Sequence, residues 1–243
     1  MNQWKYQPFD VDGKPATVVT FVAVTFTLSG EQNDPPAAKA YLLFEDNFWI
    51  AEESAQAALS RGDYTAAEPQ LNKARDALAS VSDRSYPAER WQWLISMGRL
   101  TMGRQKYGEA EPYYKQALEL RQSQNGDKDT PEMAATLADL GRLYAEEKRY
   151  DLARDHASRS VAIYQKNFKK AGSNHPDTQE TYGRAIAHQS WMLSKIALQQ
   201  NDHIEAVKQC HTVLDFQTFL STTNHDSFVS ICEQAVKGSA PKE

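Results

Sequence analysis

Histidine and cysteine are the residue types in this sequence with the most obvious chemistry, because both bind transition metals and both take part in catalysis. The six histidines are scattered between His156 and His225, and no pair stands three or four residues apart on a helix with a third ligand nearby. The two cysteines, Cys210 and Cys232, cannot alone complete a four-ligand zinc site. We therefore expect no metal site and no cofactor.

The sequence also lacks the short motifs of common catalytic sites. It contains no glycine-rich phosphate loop, no His-Glu-x-x-His and no Gly-x-Ser-x-Gly. An enzyme would need a compact pocket of converging polar groups, and the sequence offers no candidate for one. We predict that the chain is not an enzyme.

The bulk composition narrows the range of partners. The 243 residues are 41% hydrophobic and 24% charged, which is ordinary for a globular chain, and the net charge is -5. Because nucleic-acid binders usually carry a basic excess, this balance argues against that class. No apolar run approaches the roughly 18 residues that a membrane helix needs, so we expect no transmembrane segment.

An internal repeat governs the rest of the sequence. Four segments share one pattern: Arg61-Gly-Asp-Tyr-Thr-Ala-Ala-Glu68, Gln105-Lys-Tyr-Gly-Glu-Ala-Glu111, Lys148-Arg-Tyr-Asp-Leu-Ala-Arg154 and Asn201-Asp-His-Ile-Glu-Ala-Val207. An aromatic ring recurs at Tyr64, Tyr107, Tyr150 and His203, and a small residue recurs at Ala67, Ala110, Ala153 and Ala206. The intervals are 43, 43 and 53 residues. Repeats of this length indicate helix pairs that must stack, since one pair cannot bury its apolar face alone.

The third segment, together with the residues just before it, resembles a known family. Thr136-Leu-Ala-Asp-Leu-Gly-Arg-Leu-Tyr144, followed by Tyr150 and Ala153, resembles the tetratricopeptide repeat. The long period, together with His175-Pro-Asp before a predicted helix, resembles the variety found in kinesin light chains and many bacterial proteins. The resemblance covers about residues 46 to 215 and implies an all-α solenoid that binds proteins or peptides.

The longer third interval predicts two long helices around one turn, roughly 151–170 and 178–200. After the fourth repeat, Asp226 is predicted to cap a short helix, Ser227 to Lys237, whose Phe228, Val229 and Ile231 would cover the exposed edge of the stack. Residues 238–243 are predicted to form a disordered tail.

The amino-terminal residues do not fit the repeat. Trp4-Lys-Tyr-Gln-Pro8, a turn at Gly13-Lys-Pro15 and a threonine- and valine-rich run ending at Leu28 predict two strands joined by a turn. This segment resembles the end of a TonB carboxy-terminal domain, with the earlier strand and helix of that domain missing. The resemblance implies a periplasmic location, and a chance hairpin on a cytoplasmic protein is the alternative.

These observations predict one organisation of the chain. A β-hairpin covers residues 1–29 and a linker covers 30–37. A tetratricopeptide solenoid of about four helix pairs covers 38–215, and a capping helix region covers 216–237.

The family resemblance also implies a binding surface, because the first helix of each pair lines a concave groove. Carrying the groove positions over gives three rows: Gln56, Arg99, Arg142 and Lys195; Glu52, Ile95, Ala138 and Trp191; Trp49, Gln92, Ala135 and His188. The predicted peptide-binding residues are Trp49, Glu52, Gln56, Gln92, Ile95, Arg99, Arg142, His188, Trp191 and Lys195. A basic stripe of Arg99, Arg142 and Lys195 suits an extended acidic peptide. The alternative is that these cations pair with acids on adjacent helices, such as Asp139 and Glu146.

The cysteines leave two interpretations open. Cys210 falls where the second helix of a repeat packs inward, which favours a buried thiol. In the periplasm it could instead form a disulfide with Cys232, if the final helix folds back and brings the α carbons within roughly 7 Å.

We thus expect a non-catalytic scaffold or adaptor whose partner is a protein or peptide of acidic character. The alternative function is a fragment of a TonB-like energy transducer whose hairpin pairs with a membrane-associated partner. Self-association through the hairpin edge or an exposed end of the stack is a further expectation.

Overall fold

The computed structural model describes residues 10–11, 14–15, 36–81, 86–125, 129–172, 175–220 and 222–238. The chain divides into two compact units, Met1–Leu42 and Leu43–Glu243. In the first unit, strands β1 (Asp10–Val11) and β2 (Lys14–Pro15) pair in antiparallel fashion, with Asp10 opposite Pro15. The remainder of the predicted hairpin, with the strand ending at Leu28, lies outside the described residues.

Helices account for the described chain from Pro36 onward, apart from short connections. They are α1 (Pro36–Ser60), α2 (Tyr64–Ala79), α3 (Pro87–Gly103), α4 (Tyr107–Asn125), α5 (Pro131–Glu146), α6 (Tyr150–Ala171), α7 (Pro176–Gln199), α8 (His203–Asp215) and α9 (Thr222–Gly238), with a 3-10 turn at Gln217–Phe219 before the last. This arrangement confirms the predicted all-α solenoid. Among the described helices, none is long and apolar enough to cross a lipid bilayer.

The helices of the second unit, with α1 counted from Leu43, pack as successive pairs: α1 with α2, α3 with α4, α5 with α6, and α7 with α8. The recurring alanines Ala67, Ala110, Ala153 and Ala206 are all buried, as the repeat predicted. A Cβ added at Gly141 would lie 3.3 Å from the Ala153 carbonyl oxygen, so α5 and α6 nearly touch at their crossing. Small residues at the crossing allow this approach, and larger neighbours such as Leu137 and Leu140 fill the core on either side.

Each pair turns through a residue with a left-handed backbone. These residues are Gly62, Gln105, Lys148 and Asn201, with φ angles of 72°, 61°, 59° and 59°. At the third turn, the Arg149 amide donates to the Tyr144 carbonyl at 2.8 Å and the Lys148 amide donates to the Ala145 carbonyl at 3.0 Å. These two bonds close the end of the first helix in a Schellman motif, and the second helix begins two residues after the left-handed one.

Several helix ends follow the predicted signals. The Thr130 side chain accepts a hydrogen bond from the Met133 amide at 3.3 Å, and Pro131 occupies the first turn of α5. The predicted long helices are confirmed as α6 and α7. At the start of α7, by contrast, His175 makes no side-chain capping bond, although Pro176 follows it as expected.

The predicted bounds need correction at both ends of the stack. Helix α1 begins at Pro36, so the last two residues of the predicted linker 30–37 are helical. Helix α9 begins at Thr222, so Asp226 lies within it and the prediction that Asp226 caps it is wrong. Of its three predicted covering residues, Phe228 and Val229 pack inward, whereas Ile231 is 47% exposed. Residues 239–243 lie outside the described chain.

Candidate functional site

Two adjoining cavities lie along the first helices of the pairs in the second unit. One has a volume of about 630 Å³ and is lined by residues that include Gln56, Tyr64, Arg99, Met102 and Tyr107. The other has a volume of about 660 Å³ and is lined by residues that include Ala138, Tyr150, His188, Trp191 and Lys195. Asp139, Arg142 and Glu146 line both cavities. We call the surface that lines the two cavities the groove.

A shared carboxylate lies at the junction of the two cavities. The Arg99 guanidinium on α3 donates to Oδ2 of Asp139 on α5, from Nε at 3.0 Å and from Nη2 at 2.9 Å. Arg142 donates from Nη2 to Oδ1 of the same carboxylate at 3.2 Å. The Asp139 side chain is 9% exposed, whereas the two arginine side chains are 42% and 50% exposed. The carboxylate is therefore held below the surface and the guanidiniums face the groove.

The sequence left open whether the groove arginines pair with acids of this chain. Arg99 and Arg142 do pair with an acid. A guanidinium has five N–H donors, and Asp139 uses two from Arg99 and one from Arg142. Arg142 also hydrogen-bonds the Tyr114 side chain, and the remaining donors are left for other acceptors. The adjacent Asp139 carboxylate also raises the pKa of Arg99 above its usual value, which keeps its charge fixed.

The groove carries a small positive excess. Its cations are Arg99, Arg142 and Lys195, and its carboxylates are Asp139 and Glu146. Neither Lys195 nor Glu146 forms an ion pair within the described part of the chain, and both are exposed. Three cations against two carboxylates contrast with the net charge of -5 for the whole chain.

Two of the predicted peptide-binding residues lie in the interior. Glu52 is 0% exposed and Ile95 is 1% exposed, so neither offers a surface to a ligand. Glu52 lies between α1 and α3, and Ile95 packs in a core cluster with residues of α4 and α5 such as Tyr114 and Leu140. We therefore remove both residues from the groove set.

Glu52 instead organises a buried polar cluster between α1 and α3. Its Oε1 accepts hydrogen bonds from Ser96 Oγ, from Gln92 Nε2 at 3.3 Å and from Gln56 Nε2 at 3.4 Å. Its Oε2 is buried and has no hydrogen-bond partner among the described residues. Burial raises the pKa of Glu52 above its usual range, against the opposing effect of these hydrogen bonds. Gln56 and Gln92 are thus tied to this carboxylate, and Gln56 also lines the first cavity.

The predicted aromatic residues divide between two places. Trp49 is 42% exposed and lies edge-on to Phe48, and it lines neither cavity of the groove. Trp191 and His188 line the second cavity, but Phe228 of α9 packs against both rings. Burial also lowers the pKa of His188 below its usual value, which favours the neutral ring.

The groove includes residues that the sequence did not assign to it. Tyr64, Tyr107 and Tyr150 begin the second helices and line the cavities, although the repeat pattern indicated only a packing role for them. The signal for this lining role in the sequence was the recurrence of tyrosine at one position of the repeat. Met102 and Asp139 were missed as lining residues because their faces depend on how successive pairs are rotated.

A family comparison agrees with the helix-pair architecture. Residues 92–166 match the family model described as tetratricopeptide repeat, a span that runs from within α3 to within α6. The resemblance found in the sequence is therefore confirmed for this part of the chain. No curated protein matches the sequence.

Solved structures are similar in fold. BtubC (BKLC) from P. vanneervenii superposes with a TM-score of 0.58 at 13% sequence identity, over 82% of this chain and 82% of that one. A kinesin-light-chain-type protein from Podosopora anserina with nearly identical TPR-like repeats gives a TM-score of 0.47 at 15% identity, over 80% of this chain and 97% of that one. At these identities the likeness concerns the fold alone.

Proposed function

We propose that this chain is a non-catalytic scaffold that binds an extended, acidic protein segment along the groove. Tetratricopeptide repeats in general support protein interaction, which is the coarse function that the family match to residues 92–166 gives. The finer proposal depends on one observation. Two half-exposed guanidiniums, Arg99 and Arg142, are fixed in the groove by a single carboxylate that uses only part of their hydrogen-bonding capacity.

The chemistry of that arrangement suits a ligand carboxylate. A carboxylate that enters between the two guanidiniums would accept charge-assisted hydrogen bonds from donors that Asp139 leaves free. Asp139 also limits the rotamers of both arginines, so less side-chain entropy is lost on binding. Lys195 adds a third cation farther along the groove. Ala138 lines the second cavity, where its small side chain leaves room for the extended backbone of a peptide.

A peptide selection tests the proposal while the identity of the partner is still open. Random peptides displayed on phage are selected against the full chain, and the enriched sequences are synthesised and titrated by fluorescence anisotropy. We expect enrichment of Asp and Glu, and affinities that fall with added salt. The variant Arg99→Gln/Arg142→Gln should weaken binding at least about tenfold, which corresponds to about 1.4 kcal/mol.

The matched control changes two arginines outside the groove. Arg75 and Arg154 are half-exposed, and each pairs with a carboxylate on its own helix. Arg75 pairs with Asp76, and Arg154 pairs with Asp151. Arg75→Gln/Arg154→Gln removes the same formal charge, and it should leave the peptide affinity within about twofold after correction for the net charge. Selected peptides that bind the groove variant and the control variant equally well would contradict the proposal.

We also propose that the protein resides in an oxidising compartment such as the periplasm. The support is the disulfide between Cys210 and Cys232, since disulfides persist in oxidising compartments and are rare where thiols are kept reduced. Alkylation of the protein in intact cells, before any reductant is added, measures the number of free thiols per chain. Two alkylated cysteines per chain would contradict the proposal. The alternative function through the amino-terminal hairpin stays a prediction, because only four residues of that hairpin are described.

A further inference from the structure

Helix α9 covers an aromatic corner of the groove. The Phe228 ring stacks on the Trp191 ring, with centroids 4.8 Å apart and planes inclined by 20°. The same ring meets His188 edge-on, with centroids 5.2 Å apart and planes inclined by 83°. Because Trp191 and His188 both line the second cavity, α9 occupies one side of the two aromatic residues at that end of the groove.

A covalent bond holds the helix in this position. Cys232 of α9 is joined to Cys210 of α8, across a sequence separation of 22 residues. Both cysteines are buried, and Val229 is buried beside them. The opposite side of α9 is exposed, as Ile231 shows. One apolar face and one disulfide therefore attach α9 to the stack.

The disulfide supplies much of this attachment. A single helix of 17 residues is marginal in water, so α9 depends on its docking contacts to stay helical. Breaking a cross-link that closes a loop of this length restores chain entropy to the open form. The equilibrium between docked and released helix should shift toward release on the order of a hundredfold.

We propose that the Cys210–Cys232 disulfide holds α9 as a cover over Trp191 and His188, and that a dithiol reductant opens this end of the groove. A dithiol is a compound with two neighbouring thiols, and either a small molecule or a protein with paired cysteines can supply it. The opening exposes the indole face that Phe228 now covers. The cover thereby couples the length of the accessible groove to the redox state of one bond.

The redox step balances as ordinary thiol–disulfide exchange. A thiolate of the dithiol attacks one sulfur of the Cys210–Cys232 bond and forms a mixed disulfide, while the other sulfur leaves as a thiolate. The second thiol of the reductant then displaces the protein sulfur and closes its own disulfide. The protein gains two electrons and two protons as two thiols, and the dithiol loses them. Because both sulfurs are buried, the first attack takes place while α9 is transiently lifted.

Hydrogen exchange measured by mass spectrometry tests the cover without any ligand, so its outcome is independent of the proposed function. The full chain is compared in its oxidised form, after reduction by a dithiol, and as the variant Cys210→Ser/Cys232→Ser without reductant. Peptides that cover 222–238 should exchange at least about tenfold faster in both disulfide-free forms. Peptides from α5, residues 131–146, should be unchanged. Equal protection of 222–238 in the oxidised and reduced chains would overturn the inference.

Oxidative footprinting of tryptophan tests whether the released helix uncovers the groove. Trp191 should be modified several-fold faster after reduction. Trp91 is the internal control, since its indole nitrogen donates to Thr136 at 3.0 Å within the stack. In the oxidised chain, Phe228→Ala should accelerate modification of Trp191 alone, because it removes the stacked ring while the disulfide stays. Faster exchange of α9 with no change at Trp191 would show that α9 is not a cover, and would also overturn the inference.

Discussion

The Arg99 guanidinium of α3 and the Asp139 carboxylate of α5 lie 2.9 Å apart, measured from Nη2 to Oδ2, and so join the second helix pair to the third. The carboxylate is nearly buried while the guanidinium is half-exposed. The same contact therefore contributes to stacking and presents donors to the groove. Arg142, three residues after Asp139 on α5, completes the arrangement.

Replacing the shared carboxylate should destabilise the stack. Asp139→Asn keeps the shape but leaves two neighbouring cations without a compensating charge. We expect a loss of about 1–2 kcal/mol in the free energy of unfolding, after allowance for screening of the half-exposed arginines by water. Urea denaturation followed by circular dichroism measures it. The control is Glu146→Gln, an exposed groove carboxylate without an ion pair among the described residues, which should change stability by less than about 0.5 kcal/mol.

The buried carboxyl of Glu52 predicts a pH dependence of stability. Its pKa in the folded chain is raised above the ordinary value of 4.5, chiefly by burial. Above 4.5 the folded state therefore binds more protons at this site than the unfolded state does, and stability falls as the pH rises through the raised pKa. Below 4.5 both states are protonated and the penalty vanishes.

The variant Glu52→Gln isolates this effect, because an amide imitates the neutral carboxyl. The free energy of unfolding of the variant, minus that of the parent chain, should increase as the pH is raised from 4 to 7, as measured by urea titrations at each pH. Glu53→Gln, which removes one carboxylate at the exposed neighbouring residue, is the control, and the increase for Glu52→Gln should exceed the change for this control. A flat profile for both variants would show that burial of Glu52 carries no electrostatic penalty.

The sequence predicted the register of the stack well because each repeat carries local signals. Ala110 and Ala153 are buried where their spacing placed them, and α6 and α7 have the predicted lengths. These features depend on contacts within one helix pair, which the spacing of apolar residues encodes directly.

The groove was harder to predict, because its lining depends on how one pair is rotated against the next. Glu52 and Ile95 are buried, although Ala138 and Trp191 of the same predicted row line a cavity. Asp139 accepts hydrogen bonds from the arginines of two successive first helices. The covering of Trp191 by Phe228 joins residues far apart in sequence and has no counterpart in the earlier repeats. Of the four left-handed turn residues, Gly62 and Asn201 are of types that favour this conformation, whereas Gln105 and Lys148 gave no signal in the sequence.

Substituting alanine for two exposed glycines should change the stability of the chain in opposite directions. A Cβ added at Gly62 or at Gly108 would meet no atom within 4 Å, so packing does not distinguish the two sites. Gly62 has a φ of 72° in its turn, where alanine costs about 1 kcal/mol. Gly108 is the second residue of α4, where alanine gains up to about 0.5 kcal/mol, less than in a helix interior. Thermal denaturation of Gly62→Ala and Gly108→Ala should therefore lower and raise the melting temperature, and shifts of the same sign would contradict the backbone argument.

Gly98 of α3 should tolerate no side chain while Tyr114 of α4 lies against it. A Cβ added at Gly98 would lie 2.5 Å from Cε1 of the Tyr114 ring, and that ring is fully buried, so it cannot move aside. Gly98→Ala should cost about 1–3 kcal/mol through overpacking. Tyr114→Leu should cost a similar amount by leaving a cavity. Leucine at position 114 also frees the space of the tyrosine ring for a Cβ at position 98. The double variant should therefore lose less stability than the two single variants together, by about 1 kcal/mol or more. A double-mutant cycle in urea measures this coupling, and strict additivity would mean that the two helices cross farther apart than the structure places them.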